Sequence, residues 1–192
     1  MIKISTEESL EKIKNIIKYE ISEKLVPVLG PYVRPENKAI IQNIVIAVSN
    51  PPNAMTPIDP EKINMEGVYD TARHKINSLI AKAKFVIVED SVPSGAILEL
   101  EYCKNVGAIT AIFRKRGKKS SWMSIDFEIH SEDFCSFEYD DWSSNGFEKM
   151  IKGPVLDWVE ERKKKRNDRF KELEERFKNP TQEEDEQKIL DT

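Results

Sequence analysis

Histidine is nearly missing from this sequence: His74 and His130 are the two present in 192 residues. Cysteine is as scarce, with Cys103 and Cys135 far apart and no C-x-x-C spacing, so a structural metal site lacks its usual ligands. Both cysteines sit among apolar or aromatic residues and read as reduced core thiols rather than a disulfide framework. No run approaches the roughly 20 apolar residues that cross a bilayer. The opening Met1-Ile2-Lys3-Ile4-Ser5 lacks the basic region and apolar stretch of a signal peptide, so a cytoplasmic protein is expected. Excess positive charge is absent too. A net charge of −4 argues against nucleic acid as a partner, because such binding needs a basic face that displaces counterions.

What is present has a globular balance, with 39% hydrophobic and 33% charged residues. The length suits one domain plus an appendage. Leu10, Ile13, Ile16, Ile17 and Ile21 recur at helical spacing, predicting an amphipathic N-terminal helix over Thr6 to Lys24. Leu25 to Leu29 is a short apolar run closed by Gly30-Pro31, and Asn43 to Ser49 is β-branched and stopped by Asn50-Pro51-Pro52-Asn53; both read as strands. Ala54 to Pro60 has no period and reads as a loop. From Val68 a helical stripe runs through Ala72, Ile76, Leu79, Ile80 and Ala83, followed by a strand from Phe85 to Val88. A turn at Pro93-Ser94-Gly95, a helix from Ala96 to about Val106 stopped by Gly107, and a strand from Ala108 to Phe113 come next. Phe134 to Tyr139 makes the last strand, and a closing helix begins near Gly146.

Continuous apolar strands separated by helices predict an α/β fold of flavodoxin-like, Rossmann-like build: an open parallel sheet of about five strands with helices on both faces. Residues 1–154 form that domain. Residues 155–192 form a charged helix with a thin apolar seam at Phe170, Leu173 and Phe177, then an acidic tail of disordered composition after Pro180. The run Lys163-Lys164-Lys165-Arg166 is either a solvated helix face or a contact for an acidic partner.

In an open parallel sheet, ligands bind beyond the carboxyl ends of the strands, where strand order reverses. The string Glu89-Asp90-Ser91 after Val88 is therefore where a site belongs. Gly95 allows close backbone approach, and the first amides of the next helix face a ligand with the positive end of the helix dipole behind them. Glu99, one turn into that helix among Leu98, Leu100, Tyr102 and Cys103, is a carboxylate that burial would leave poorly solvated and more nucleophilic.

The stretch from Phe85 to Met123 resembles the nucleoside 2-deoxyribosyltransferases, and especially the related 2'-deoxynucleoside 5'-monophosphate N-glycosidases. The resemblance lies in the strand ending in polar residues, the Pro93-Ser94 turn, Gly95 before Glu99, the strand Ala108 to Arg114, the basic glycine-containing loop and the Ser121-Trp122-Met123 segment. It implies cleavage or transfer of an N-glycosidic bond, with Glu99 as nucleophile on the anomeric carbon, no cofactor, and a homo-oligomer that completes its site across subunits. It further implies that Gly30, Tyr32, Asp90, Ser94, Gly95, Lys118, Ser121 and Met123 bind the substrate, with Ser121 reaching a phosphate. The alternative to Gly30-Pro31-Tyr32 as the first-strand loop is Asn50 to Asn53 after a strand Asn43 to Ser49. The chain departs from the pattern in two places. Ser94 and Gly95 are adjacent rather than separated, and the window where the family carries a second carboxylate holds Arg73, His74, Lys75 and Ile76. His74, and Asp70 one turn from it, are the candidates to replace that acid. An NAD glycohydrolase of a defence system and a non-catalytic nucleotide-binding or scaffold module are the rival readings.

Overall fold

Four short apolar runs bounded by polar turns form buried strands, and a short edge strand joins them in one five-stranded sheet. The computed structural model describes residues 23–32, 34–51, 55–59, 72–92, 97–119 and 121–178, with the backbone alone for 72–75 and 177–178. β1 (Leu25–Leu29), β2 (Thr56–Ile58), β3 (Val86–Glu89), β4 (Thr110–Lys115) and β5 (Phe134–Tyr139) lie in the order β2-β1-β3-β4-β5, each neighbouring pair parallel. The expected flavodoxin-like sheet is therefore present. Register pairs Leu29 with Val88, Val88 with Ile112 and Ile112 with Ser136, so the carboxyl ends of β1, β3, β4 and β5 reach one common edge. Strand order reverses between β1 and β3 at that edge.

Helices cover both faces. On one, Ile41, Ile44, Ala47 and Val48 of α1 (Pro35–Ser49) and Phe147 of α5 (Ser144–Met150) pack onto Val26, Val28, Ile87, Ala111 and Phe113. On the other, Ile80 of α2 (Ala72–Ala81), Leu100 and Cys103 of α3 (Ile97–Asn105) and Phe127 of α4 (Trp122–His130) pack onto Leu29, Val86, Val88 and Ile112. A π turn (Ile151–Val155) carries Gly153-Pro154 and joins α5 to α6 (Leu156–Lys178) without a break, its wider winding accommodating the missing N–H of Pro154. Val155 and Val159 are fully buried in the first core, so the opening turns of α6 belong to it. Farther along, Arg162 and Arg166 pair with Asp133 at 3.1 and 2.7 Å, fastening α6 to the turn before β5.

Two expectations are corrected. Asn43 to Ser49 is the second half of α1, not a strand. Pro35 opens that helix and Ile41, Ile44, Ala47 and Val48 recur at helical spacing on its buried face, so packing overrides the β-branched composition. Within the stretch read as a loop, Thr56–Ile58 forms β2, a short edge strand that exists because β1 offers its ladder. Glu23 and Lys24 form a turn before β1, while the rest of the expected N-terminal helix, the helical stripe before Ala72, the Pro93 to Gly95 turn and the acidic tail lie outside the described residues. No helix among the described residues is long and apolar enough to cross a membrane, and Cys103 and Cys135 are free thiols.

Candidate active site

The carboxyl edge is assembled from the polar residues that finish each strand. Gly30 ends β1. A Cβ there would stand 3.1 Å from Glu89 Cβ and 3.1 Å from Ile41 Cδ1, so the glycine is what lets β1 close against β3 and α1. Tyr32 turns back, its hydroxyl donating to Val28 O at 2.9 Å.

Successive side chains of an extended chain point to opposite faces, and Glu89 and Asp90 separate accordingly. Glu89 lies on the α1 face and has no exposed surface. Its Oε1 accepts from Ser91 N at 3.1 Å and from Tyr139 Oη at 2.9 Å, while Oε2 has no hydrogen-bond partner among the described residues. Ser91 Oγ accepts from Lys115 N at 2.7 Å, which leaves the Ser91 hydrogen for the Tyr139 oxygen 3.1 Å away and the Tyr139 hydrogen for Glu89. Burial drives the Glu89 carboxyl above the usual carboxylate range, more than its hydrogen bonds to Ser91 and Tyr139 lower it.

Asp90 faces the other way, toward α4. Ser121 caps that helix, its Oγ accepting from Ser124 N at 3.2 Å. Asp90 Oδ2 in turn accepts from Ser124 Oγ at 2.7 Å, Ser121 Oγ at 3.1 Å and Ser121 N at 3.2 Å. The partial positive charge of the α4 N-terminus is thus met by a carboxylate from the protein itself. Arg114, 8% exposed, reaches Ser124 Oγ at 3.4 Å and Glu128 at 3.2 Å through Nη2, and its Nε is buried without a partner among the described residues.

Glu99 stands apart from this network. It occupies the first turn of α3 on the side of Cys103, whose thiol is pushed up to about 12 by burial, with the Glu99 charge adding. Glu99 lines a hollow of about 270 Å³ between α2 and α3, together with Ile76, Asn77, Leu98, Glu101, Tyr102 and Asn105. Its Oε2 is buried and has no hydrogen-bond partner among the described residues. A carboxylate oxygen held so, beside open space, is positioned to accept a proton or to attack an electrophilic carbon.

Among the other anticipated residues, Asp90 and Ser121 come together in direct contact. Met123 is half-buried against the α2/α3/α4 core, and Lys118 is exposed in the loop before α4. Asp70, Ser94 and Gly95 lie outside the described residues, and His74 is described by its backbone in α2 alone. Ser91 was anticipated only as a member of the Glu89-Asp90-Ser91 string, and Arg114, Ser124 and Tyr139 were not anticipated as site residues. Their signal was faint: a polar triplet prolonging an apolar strand for Ser91, and the S-x-x-S spacing of a helix cap for Ser124. No family model matches the chain, and no curated protein matches it.

Proposed function

We propose that the chain cleaves or transfers the N-glycosidic bond of a deoxynucleoside or deoxynucleoside 5'-monophosphate, with Glu99 as nucleophile. The observation that carries this reading is the buried Glu99 oxygen beside a hollow, without a hydrogen-bond partner among the described residues, one turn into the helix that follows the strand where order reverses. The resemblance of Phe85 to Met123 to the nucleoside 2-deoxyribosyltransferases supports it. In this reaction Glu99 Oε2 bonds to the anomeric carbon as the carbon–nitrogen bond breaks, and the electron pair leaves with the base, which takes up a proton. Water or a second base then attacks the glycosyl ester, restoring the carboxylate and giving the free sugar or a new nucleoside, the two-step logic of retaining glycosidases. Asp70 and His74 are the proposed sources of the proton. Gly30, Tyr32, Asp90, Ser94, Gly95, Lys118, Ser121 and Met123 are the proposed substrate contacts, and a phosphate at Ser121 would compete with Asp90 for the same hydrogens.

The proposal includes a homo-oligomer. Trp122, Ile125 and Ile129 lie at i, i+3, i+7 on α4, 72%, 45% and 70% exposed, an apolar stripe that starts beside Ser121. Trp122→Glu with Ile129→Glu is expected to halve the mass measured by light scattering; an unchanged mass removes this face from the assembly.

The direct test incubates the protein at substrate-level concentration with each deoxynucleoside, each deoxynucleoside monophosphate and NAD. Free base, or a sugar adduct on Glu99 seen by mass spectrometry, is expected from a deoxynucleoside or its monophosphate, and Glu99→Gln should lower release by ~100-fold or more. Nicotinamide release alone would transfer the reading to an NAD glycohydrolase. Nucleotide binding without turnover would transfer it to a non-catalytic module.

A further inference from the structure

The proposed reaction puts the anomeric carbon at Glu99, so the base it carries lies along the hollow that Glu99 lines between α2 and α3. The lining of that hollow is chemically uneven. Ile76 of α2 and Leu98 of α3 are aliphatic and suit the flat face of a ring. Asn77 of α2, with Glu101 and Asn105 of α3, supplies polar groups for a ring's edge. Along the axis of α3, Glu101 and Asn105 follow Glu99 by a rise of about 3 and 9 Å, which keeps both within reach of a base whose sugar is bonded at that carboxylate. The second carboxylate of the lining is thus on the same helix as the first.

These polar groups differ in what they can exchange. An amide both donates and accepts hydrogens, whereas a carboxylate accepts them and has none to give. Asn77 and Asn105 therefore fit ring edges of either kind, and Glu101 fits one that offers hydrogens. We propose, resting on the glycosidic reading of Glu99, that Glu101 reads the base edge and selects bases carrying an exocyclic amino group over those carrying oxo groups alone. A carboxylate pairs with such an amine, as it does with that of cytosine. An oxo group in the same place would set its lone pairs against the negative charge, and the hydrogen bond would be lost. Deoxycytidine and deoxyadenosine phosphates are accordingly the preferred substrates, and their deaminated counterparts, deoxyuridine and deoxyinosine phosphates, the rejected ones. Glu101 is exposed, so its replacement leaves the core of the fold untouched.

The test measures base release by the full chain from these four 5'-monophosphates, which form two pairs differing only by amino against oxo. The amino member of each pair is expected to have a kcat/KM higher by ~10-fold or more. Glu101→Gln, whose amide can also donate, should bring the ratio within ~2-fold of one. Equal cleavage of both members, or a ratio that Glu101→Gln leaves in place, overturns the proposal while the role of Glu99 stands. Equilibrium dialysis of the same four compounds, against the full chain with and without Glu101→Gln, separates the other failure. If no base is released but the amino members bind ~10-fold more tightly or better, and Glu101→Gln removes the difference, the glycosidic reading falls and Glu101 keeps its role. Equal binding, or no binding, then overturns the assignment of Glu101 as well.

Discussion

Asp90 and Glu99 are both acidic, both follow β3, and both lie on the sheet face covered by α2, α3 and α4, yet the fold treats them oppositely. Asp90 is 3% exposed and one of its oxygens collects three hydrogens, from Ser121 N, Ser121 Oγ and Ser124 Oγ. Glu99 is half-buried beside a hollow, with a buried oxygen that none of the described residues engages. A carboxylate whose bonding capacity is spent inside the molecule holds parts together. One with an oxygen that no described residue engages, next to open space, leaves room for a ligand. A buried acceptor with no partner costs free energy, and among the described residues Glu99 Oε2 shares that condition with Glu89 Oε2; of the two, Glu99 lines the hollow.

The sharpest way to break this contrast is to neutralise each residue in turn. Glu99→Gln should remove turnover by the ~100-fold or more stated above while shifting stability by about 0.5 kcal/mol or less in urea titrations, since none of the described residues bonds Oε2. A loss of folding equal to the loss of activity would make Glu99 structural. Asp90→Ala should destabilise by about 3 kcal/mol, because it strands the Ser121 amide and two hydroxyls that now share a buried charge. A change below about 0.5 kcal/mol would show that these bonds carry little net weight.

Glu89, on the opposite face, supplies the finest contrast and the smallest effect. Its carboxyl is held above the ordinary range chiefly by burial. The folded state therefore keeps its proton at pH values where the unfolded chain has released it. This contribution to stability is whole below the unfolded value and declines as pH rises toward the folded one. Glu89→Gln keeps the acceptor for Ser91 N and Tyr139 Oη and should flatten that part of the stability–pH curve. An unaltered curve would mean that another group sets the slope.

How far the sequence could be read followed from how local each decision was. β5 is Phe134–Tyr139 as anticipated, and β3 and β4 fall within two residues of expectation, because a buried strand bounded by turns is written in its own composition. Asn43 to Ser49 has the same composition but belongs to a longer unit, whose period shows only when Pro35 and Ile41 are included. Thr56–Ile58 carries no strand signal, since its stability comes from β1. The position of Glu99 in the first turn of the helix after β3 was legible from local pattern. The bond between Asp90 and Ser121 joins residues 31 positions apart and was not.

By itself, then, the amino-acid sequence determined the alternation of strands and helices, the free thiols and a glutamate one turn into the helix after β3, all set by contacts within a few residues. Which carboxylate oxygen is bonded and which has no partner among the described residues was decided only by tertiary structure. Parallel register carries the ends of β3 and β4 to one edge, the loop leaving β4 brings the α4 N-terminus against Asp90, and α2 stands off from α3 to leave the hollow beside Glu99. Those outcomes depend on hydrogen bonds and burial between distant segments, which no local pattern encodes.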